Sequence, residues 1–65
     1  MTQKDLYDTW GYLKALQDIL EDKAREAARR NDDIGKIVAA DYRKKSAEIQ
    51  ELQGKILAAA ERAPE

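Results

Sequence analysis

A stripe of large apolar residues in the first third of the chain constrains its fold most strongly. Leu6, Trp10, Leu13 and Leu20 recur at intervals that place them on one side of a helix turning ~100° per residue. The stripe continues through small residues as far as Ala27, so it tapers from large to small side chains. Such a stripe must be buried against a second apolar surface, because a helix of this kind is not stable alone.

The apolar face of this first helix is wider than one neighbouring helix covers. Leu16 lies beside the stripe, and Tyr12 and Ile19 lie further round on the same side. In an isolated pair of helices we expect these three side chains to stay partly uncovered. A further chain would be needed to bury them.

A second stripe of apolar residues follows in the other half of the chain and predicts a second helix. The spacings are mostly three and four residues, and Lys45 with Ser46 beside it interrupts the stripe. The predicted members are Ile34, Val38, Tyr42, Ile49, Leu52, Ile56 and Ala60.

Helix-start and helix-stop signals set the predicted boundaries. Thr2 is a natural N-cap, and Asp5 three residues later completes an approximate capping box. Asn31 favours the left-handed conformation that ends helices, and one of the two aspartates after it caps the next helix. Pro64 cannot continue a helix. We therefore predict helices over about residues 3–30 and 33–62, with a turn near residues 31–33.

These signals predict an all-α fold, a single domain over residues 1–65 built as a two-helix antiparallel hairpin. Two faces this wide are best satisfied when two hairpins pair into a four-helix bundle. One alternative stays open at this point, a single long helix in a dimeric coiled coil. Ala27, Asn31, Ile34 and Val38 would join the two stripes in that case, at spacings of four, three and four.

Composition excludes several kinds of chemistry. The chain has no Cys and no His, so a disulfide is impossible, and a nucleophilic triad or a zinc site of the usual ligands is not expected. Asp18, Glu21 and Asp22 form an acidic cluster at helical spacing, which we interpret as a solvated face rather than a metal site. We expect no catalytic residues, no cofactor, no metal and no small-molecule substrate, and hence no enzymatic activity.

Charge argues against strong non-specific binding. Twelve basic residues stand against thirteen acidic ones, giving a net charge of -1. No apolar run approaches the ~20 residues of a membrane span, so we expect a cytoplasmic protein with no membrane contact. A less favoured hypothesis is a small nucleic-acid-binding regulator. The basic residues that could contact phosphates in that case are Arg25, Arg29, Arg30, Lys36, Arg43 and Lys44.

The surplus of apolar surface predicts a protein–protein interaction module of the adaptor, regulator or co-chaperone type. Its partner is either a second copy, forming a homodimer, or another helical protein. Aromatic and large aliphatic side chains are favoured at such interfaces. The residues predicted to bind the partner are Tyr7, Trp10, Tyr12, Leu16, Ile19 and Ile37.

Overall fold

Two helices packed side by side make up the protein. The computed structural model describes residues 1–63, with α1 over Gln3–Arg29 and α2 over Asp33–Arg62. The chain reverses between the helices and forms a rod 50 Å long. The predicted hairpin is therefore confirmed, and the alternative of one continuous helix is wrong. Pro64, predicted to follow the second helix, lies outside the described residues.

The start of α1 is held by the predicted capping box. The Asp5 backbone N–H donates to Thr2 Oγ1 at 3.2 Å, and the Thr2 backbone N–H donates to Asp5 Oδ2 at 3.3 Å. Two backbone donors that have no partner within the helix are thus satisfied by side chains. The hydrogen bonds from Thr2 hold the pKa of Asp5 below its ordinary value of 3.8.

The turn combines a left-handed residue with an N-cap. Asn31 has a φ of 55°, which an asparagine tolerates better than most residues. The side chain of Asp32 then accepts the Gly35 backbone N–H at 2.7 Å and caps α2. That hydrogen bond is the main reason why the pKa of Asp32 lies below its ordinary value, and the nearby Arg30 guanidinium lowers it further.

The seam of α1 against α2 follows the predicted stripe. Leu6, Ala24 and Ala27 are buried, and the residues between them that share their spacing are half-buried. These half-buried residues are Trp10, Leu13, Gln17 and Leu20. The stripe read from the sequence is therefore confirmed for α1.

The seam of α2 differs from the predicted stripe at half of its positions. It is formed by residues at alternating spacings of four and three, namely Gly35, Ala39, Tyr42, Ser46, Ile49, Gln53, Ile56 and Ala60. Ile34 and Leu52 are 60% and 46% exposed, and Val38 and Lys45 are exposed as well. The assignment of Ile34, Val38 and Leu52 to the stripe is wrong, and at the predicted polar interruption the seam contains Ser46 and not Lys45.

Close approach of the helices explains the difference. A Cβ atom added to Gly35 would lie 2.5 Å from the carbonyl oxygen of Ala27, so the two backbones nearly touch there. Only very small residues fit at such a distance, and Ala39 continues the pattern as a buried residue. Packing therefore selects the smaller residues Gly35 and Ala39 and turns Ile34 and Val38 outward, although burying the larger pair would remove more apolar area from water.

Candidate interaction surface

A polar network occupies the middle of the seam and sets the alignment of the helices. Gln53 Nε2 donates to Gln17 Oε1 at 2.8 Å, and Gln17 Nε2 lies 3.4 Å from Gln50 Oε1. Ser46 Oγ donates to Glu21 Oε1 at 3.3 Å. Among residues 1–63, no buried side-chain nitrogen or oxygen lacks a partner. The hairpin is thus internally satisfied, which matters because an unpaired buried polar group is costly.

An open groove between the helices identifies one of the two broad sides of the hairpin. Its walls include Glu21 and Arg25 of α1 and Arg43 and Gln50 of α2. These residues lie on the same rotational side of the seam in each helix. We call this side the groove face. It carries side chains of both charge signs, and the Glu21 carboxylate already accepts from Ser46.

The opposite broad side is apolar at its centre. Residues rotated the other way from the seam include Tyr12, Leu16 and Ile19 of α1, which are 77%, 42% and 54% exposed. Val38 and Leu52 of α2 are rotated in the same sense and are also exposed. We call these five residues the apolar flank. The expectation that one neighbouring helix leaves the α1 residues partly uncovered is confirmed.

The other residues predicted to bind a partner do not join the apolar flank. Trp10 is half-buried in the seam, Tyr7 lies on the side of the groove face, and Ile37 lies on the outer edge of α2, away from α1. The sequence missed Val38 and Leu52 as surface residues because it assigned them to the seam. The break in the predicted stripe at Lys45 was the available signal, since it indicates that the true seam is shifted.

The acidic residues Glu21 and Asp22 of α1, predicted as part of one cluster, have different partners in the structure. The Glu21 side chain turns toward the seam, where it accepts from Gln17 and Ser46, whereas Asp22 forms an ion pair with Arg25. In the part of the chain that the structure describes, no group of three or more potential ligands could hold a metal ion.

The basic residues near the turn fall into two groups. Arg25 and Arg30 are engaged by acidic neighbours, Arg30 with Asp32 at 3.2 Å. The rest form no ion pair with any residue of the described range 1–63, and all are exposed. This second group comprises Arg29, Lys36, Arg43 and Lys44.

Comparisons with known proteins give no match, so a function has to be argued from the geometry of the hairpin. No protein-family model, no curated protein and no solved structure matches the chain. Neither α1 nor α2 is long and apolar enough to cross a membrane.

Proposed function

We propose that the protein is a non-enzymatic interaction module that self-associates through the apolar flank, forming a four-helix bundle from two hairpins. The observation that carries this proposal is the exposure of Tyr12, Leu16, Ile19 and Leu52 on one side of a hairpin whose seam is already filled. The flank has nothing left to pack against within residues 1–63. A second copy or another helical protein supplies the missing surface, and we favour the second copy. Cytoplasmic location remains a prediction from the sequence.

The apolar flank retains a substantial part of the free energy that burial of its side chains would release. Full burial of one Leu or Ile side chain is worth roughly 1.5–3 kcal/mol relative to full exposure. Leu16 and Ile19 are about half exposed, so each retains about half of that value. A symmetric dimer counts each residue twice, and Tyr12 and Leu52 add to the total.

Sedimentation equilibrium of the chain and of a Leu16→Glu/Ile19→Lys variant tests the proposal. We expect the parent to have twice the mass of one chain and the variant to be monomeric. Circular dichroism should show the same helix content for both under conditions where the monomer is folded, because the two changed residues lie outside the seam. The variant leaves net charge unchanged.

A matched control places the same charges on the opposite side of α1. Lys14 and Asp18 are both exposed, and exchanging them as Lys14→Glu/Asp18→Lys also keeps the net charge. This control should retain the mass of the parent. A parent that is monomeric and fully helical at micromolar concentration would contradict self-association, and a flank variant with the parent's mass would exclude Leu16 and Ile19 as its surface.

Nucleic-acid binding is the second candidate function, favoured by the four basic side chains that have no ion pair within residues 1–63. Arg29, Lys36, Arg43 and Lys44 lie toward the turn end, where they could contact phosphates. Titration of labelled RNA and DNA at low and moderate salt tests it. Binding that weakens steeply with salt supports this candidate, and no binding at low salt removes it.

A further inference from the structure

The two helices contribute different chemistry to the side that carries the apolar flank. The α1 row is uncharged at its centre, where Tyr12, Leu16 and Ile19 follow one another. The α2 row on the same side alternates in charge, with Leu52 lying within it. In chain order its charged members are Asp41, Lys45, Glu48 and Lys55, all exposed. The charges along the row are negative, positive, negative and positive. Two copies of the row that run in opposite directions therefore place opposite charges against each other.

We propose that the second copy docks antiparallel, with α1 against α1 and α2 against α2, about a two-fold axis that passes between Leu16 and Ile19. This rests on the proposed function, and it names the orientation and register of the partner. Gln17 is bonded to Gln50 and Glu21 to Ser46, so the part of α1 between Leu16 and Ile19 lies level with the part of α2 around Glu48 and Gln50. A two-fold axis at this level places the apolar centre of the α1 row of one copy against the apolar centre of the α1 row of the other.

The same axis aligns the charged rows of α2 with opposite signs facing. Asp41 of one copy then lies beside Lys55 of the second copy, because these residues are equally far from the centre of the row near Glu48. Asp41 already holds Lys45 at 2.8 Å within its own chain, and Lys55 lies 3.8 Å from Glu51. The docked pair therefore joins two existing ion pairs into a network on each side of the two-fold axis.

The other two-fold arrangement is chemically mismatched. An axis parallel to the helices would place α1 of one copy against α2 of the other. Leu16 would then lie near Leu52, but Tyr12 would face Lys55 and Ile19 would face Glu48, so charged residues of α2 would cover apolar residues of α1. Charged groups buried against apolar surface without partners are strongly disfavoured.

The dimensions of the hairpin suit a stable dimer. The rod measures 50 Å by 14 Å between Cα atoms on its broad side. Side chains extend these dimensions, so the area offered by one copy is of the order of the ~800 Å² per partner found in standard-size interfaces. A short peptide bound to the apolar flank would cover only a small part of the 50 Å length of the hairpin.

Single-cysteine variants report the orientation, since the natural chain has no Cys. We expect Leu16→Cys, Ile19→Cys or an equimolar mixture of the two to form a covalent dimer rapidly under mild oxidation. A Lys14→Cys control, on the side of the groove face, should stay monomeric on a denaturing gel. Rapid cross-linking between Leu16→Cys and Leu52→Cys chains, without cross-linking among the α1 variants, would overturn the antiparallel arrangement.

A charge-exchange experiment tests the register without any cross-link. Asp41→Lys and Lys55→Asp should each weaken dimerisation by about tenfold, because each places like charges opposite one another at two symmetric contacts. Mixing the two variants should restore association close to that of the parent, since both contacts regain opposite charges in the mixed dimer. Mixing cannot repair a folding defect, so restoration is specific to the contact.

The outcomes separate this inference from the proposed function. A parent that sediments as a dimer but shows no α1 cross-link and no restoration on mixing overturns the orientation and leaves self-association standing. A parent that stays monomeric overturns both, and the apolar flank would then belong to a partner of different sequence.

Discussion

Replacement of Gly35 by Ala should destabilise the hairpin, whereas the same replacement at Gly11 or Gly54 should stabilise it. An added Cβ at Gly35 would lie 2.5 Å from the Ala27 carbonyl oxygen and 2.8 Å from the Arg30 Cβ. The first of these atoms is backbone and cannot move without separating the helices. Around Gly11 and Gly54, no atom would lie within 4 Å of the new Cβ.

The expected free energies of unfolding follow from two opposing effects. Glycine inside a helix costs about 1 kcal/mol relative to alanine, and this gain is fully available at Gly11 and Gly54. Gly35 lies in the first turn of α2, and there the gain is opposed by overpacking, which typically costs 1–3 kcal/mol. We expect Gly35→Ala to lose about 1–2 kcal/mol net, so the two kinds of variant should differ by about 2–3 kcal/mol.

Thermal unfolding followed by circular dichroism measures this difference. One kcal/mol corresponds to a shift in Tm of about 4–8 °C in a chain of this size. Protein concentration must be equal in all samples, because association makes Tm depend on concentration. A Tm for Gly35→Ala that rises as much as that of Gly11→Ala would refute the close approach of the helices at the turn.

Three further predictions concern the polar network and the caps. Gln53→Leu alone should lower the free energy of unfolding, measured in urea, by about 1–2 kcal/mol, because it leaves Gln17 without its shortest hydrogen bond. The double variant Gln17→Leu/Gln53→Leu should have nearly the stability of the parent. Equal losses in both variants would contradict a paired network. Asp32→Ala should lower Tm more than Asp33→Ala, because Asp32 caps α2 whereas Asp33 contributes only its charge in the first turn. Equal shifts would exclude that cap. Asp5 and Asp32 both have a lower pKa in the folded chain than in the unfolded chain, so their contribution is present above the ordinary pKa of 3.8 and is lost as pH falls below it. Urea midpoints measured from neutral pH downward should therefore drop below about pH 4, and less so in Asp32→Asn.

Local features of the sequence determined the helices and their ends. The capping box of Thr2 and Asp5, the left-handed Asn31 and the cap by Asp32 act between residues at most three apart, so they need no information about the rest of the chain. The α1 stripe was also predictable, because its large residues coincide with the side that the helix buries. The exposure of Leu16 follows from the same periodicity.

Only the tertiary structure decided which side of α2 meets α1. Periodicity alone favours the larger residues Ile34 and Val38, because it counts apolar character and takes no account of the space between the backbones. The packed hairpin instead requires Gly35 and Ala39, since the helix axes are too close near the turn for branched side chains. Rotation of α2 by that one position exposes Leu52 as well. The apolar flank is thus a consequence of packing distance, a quantity that no single helix contains.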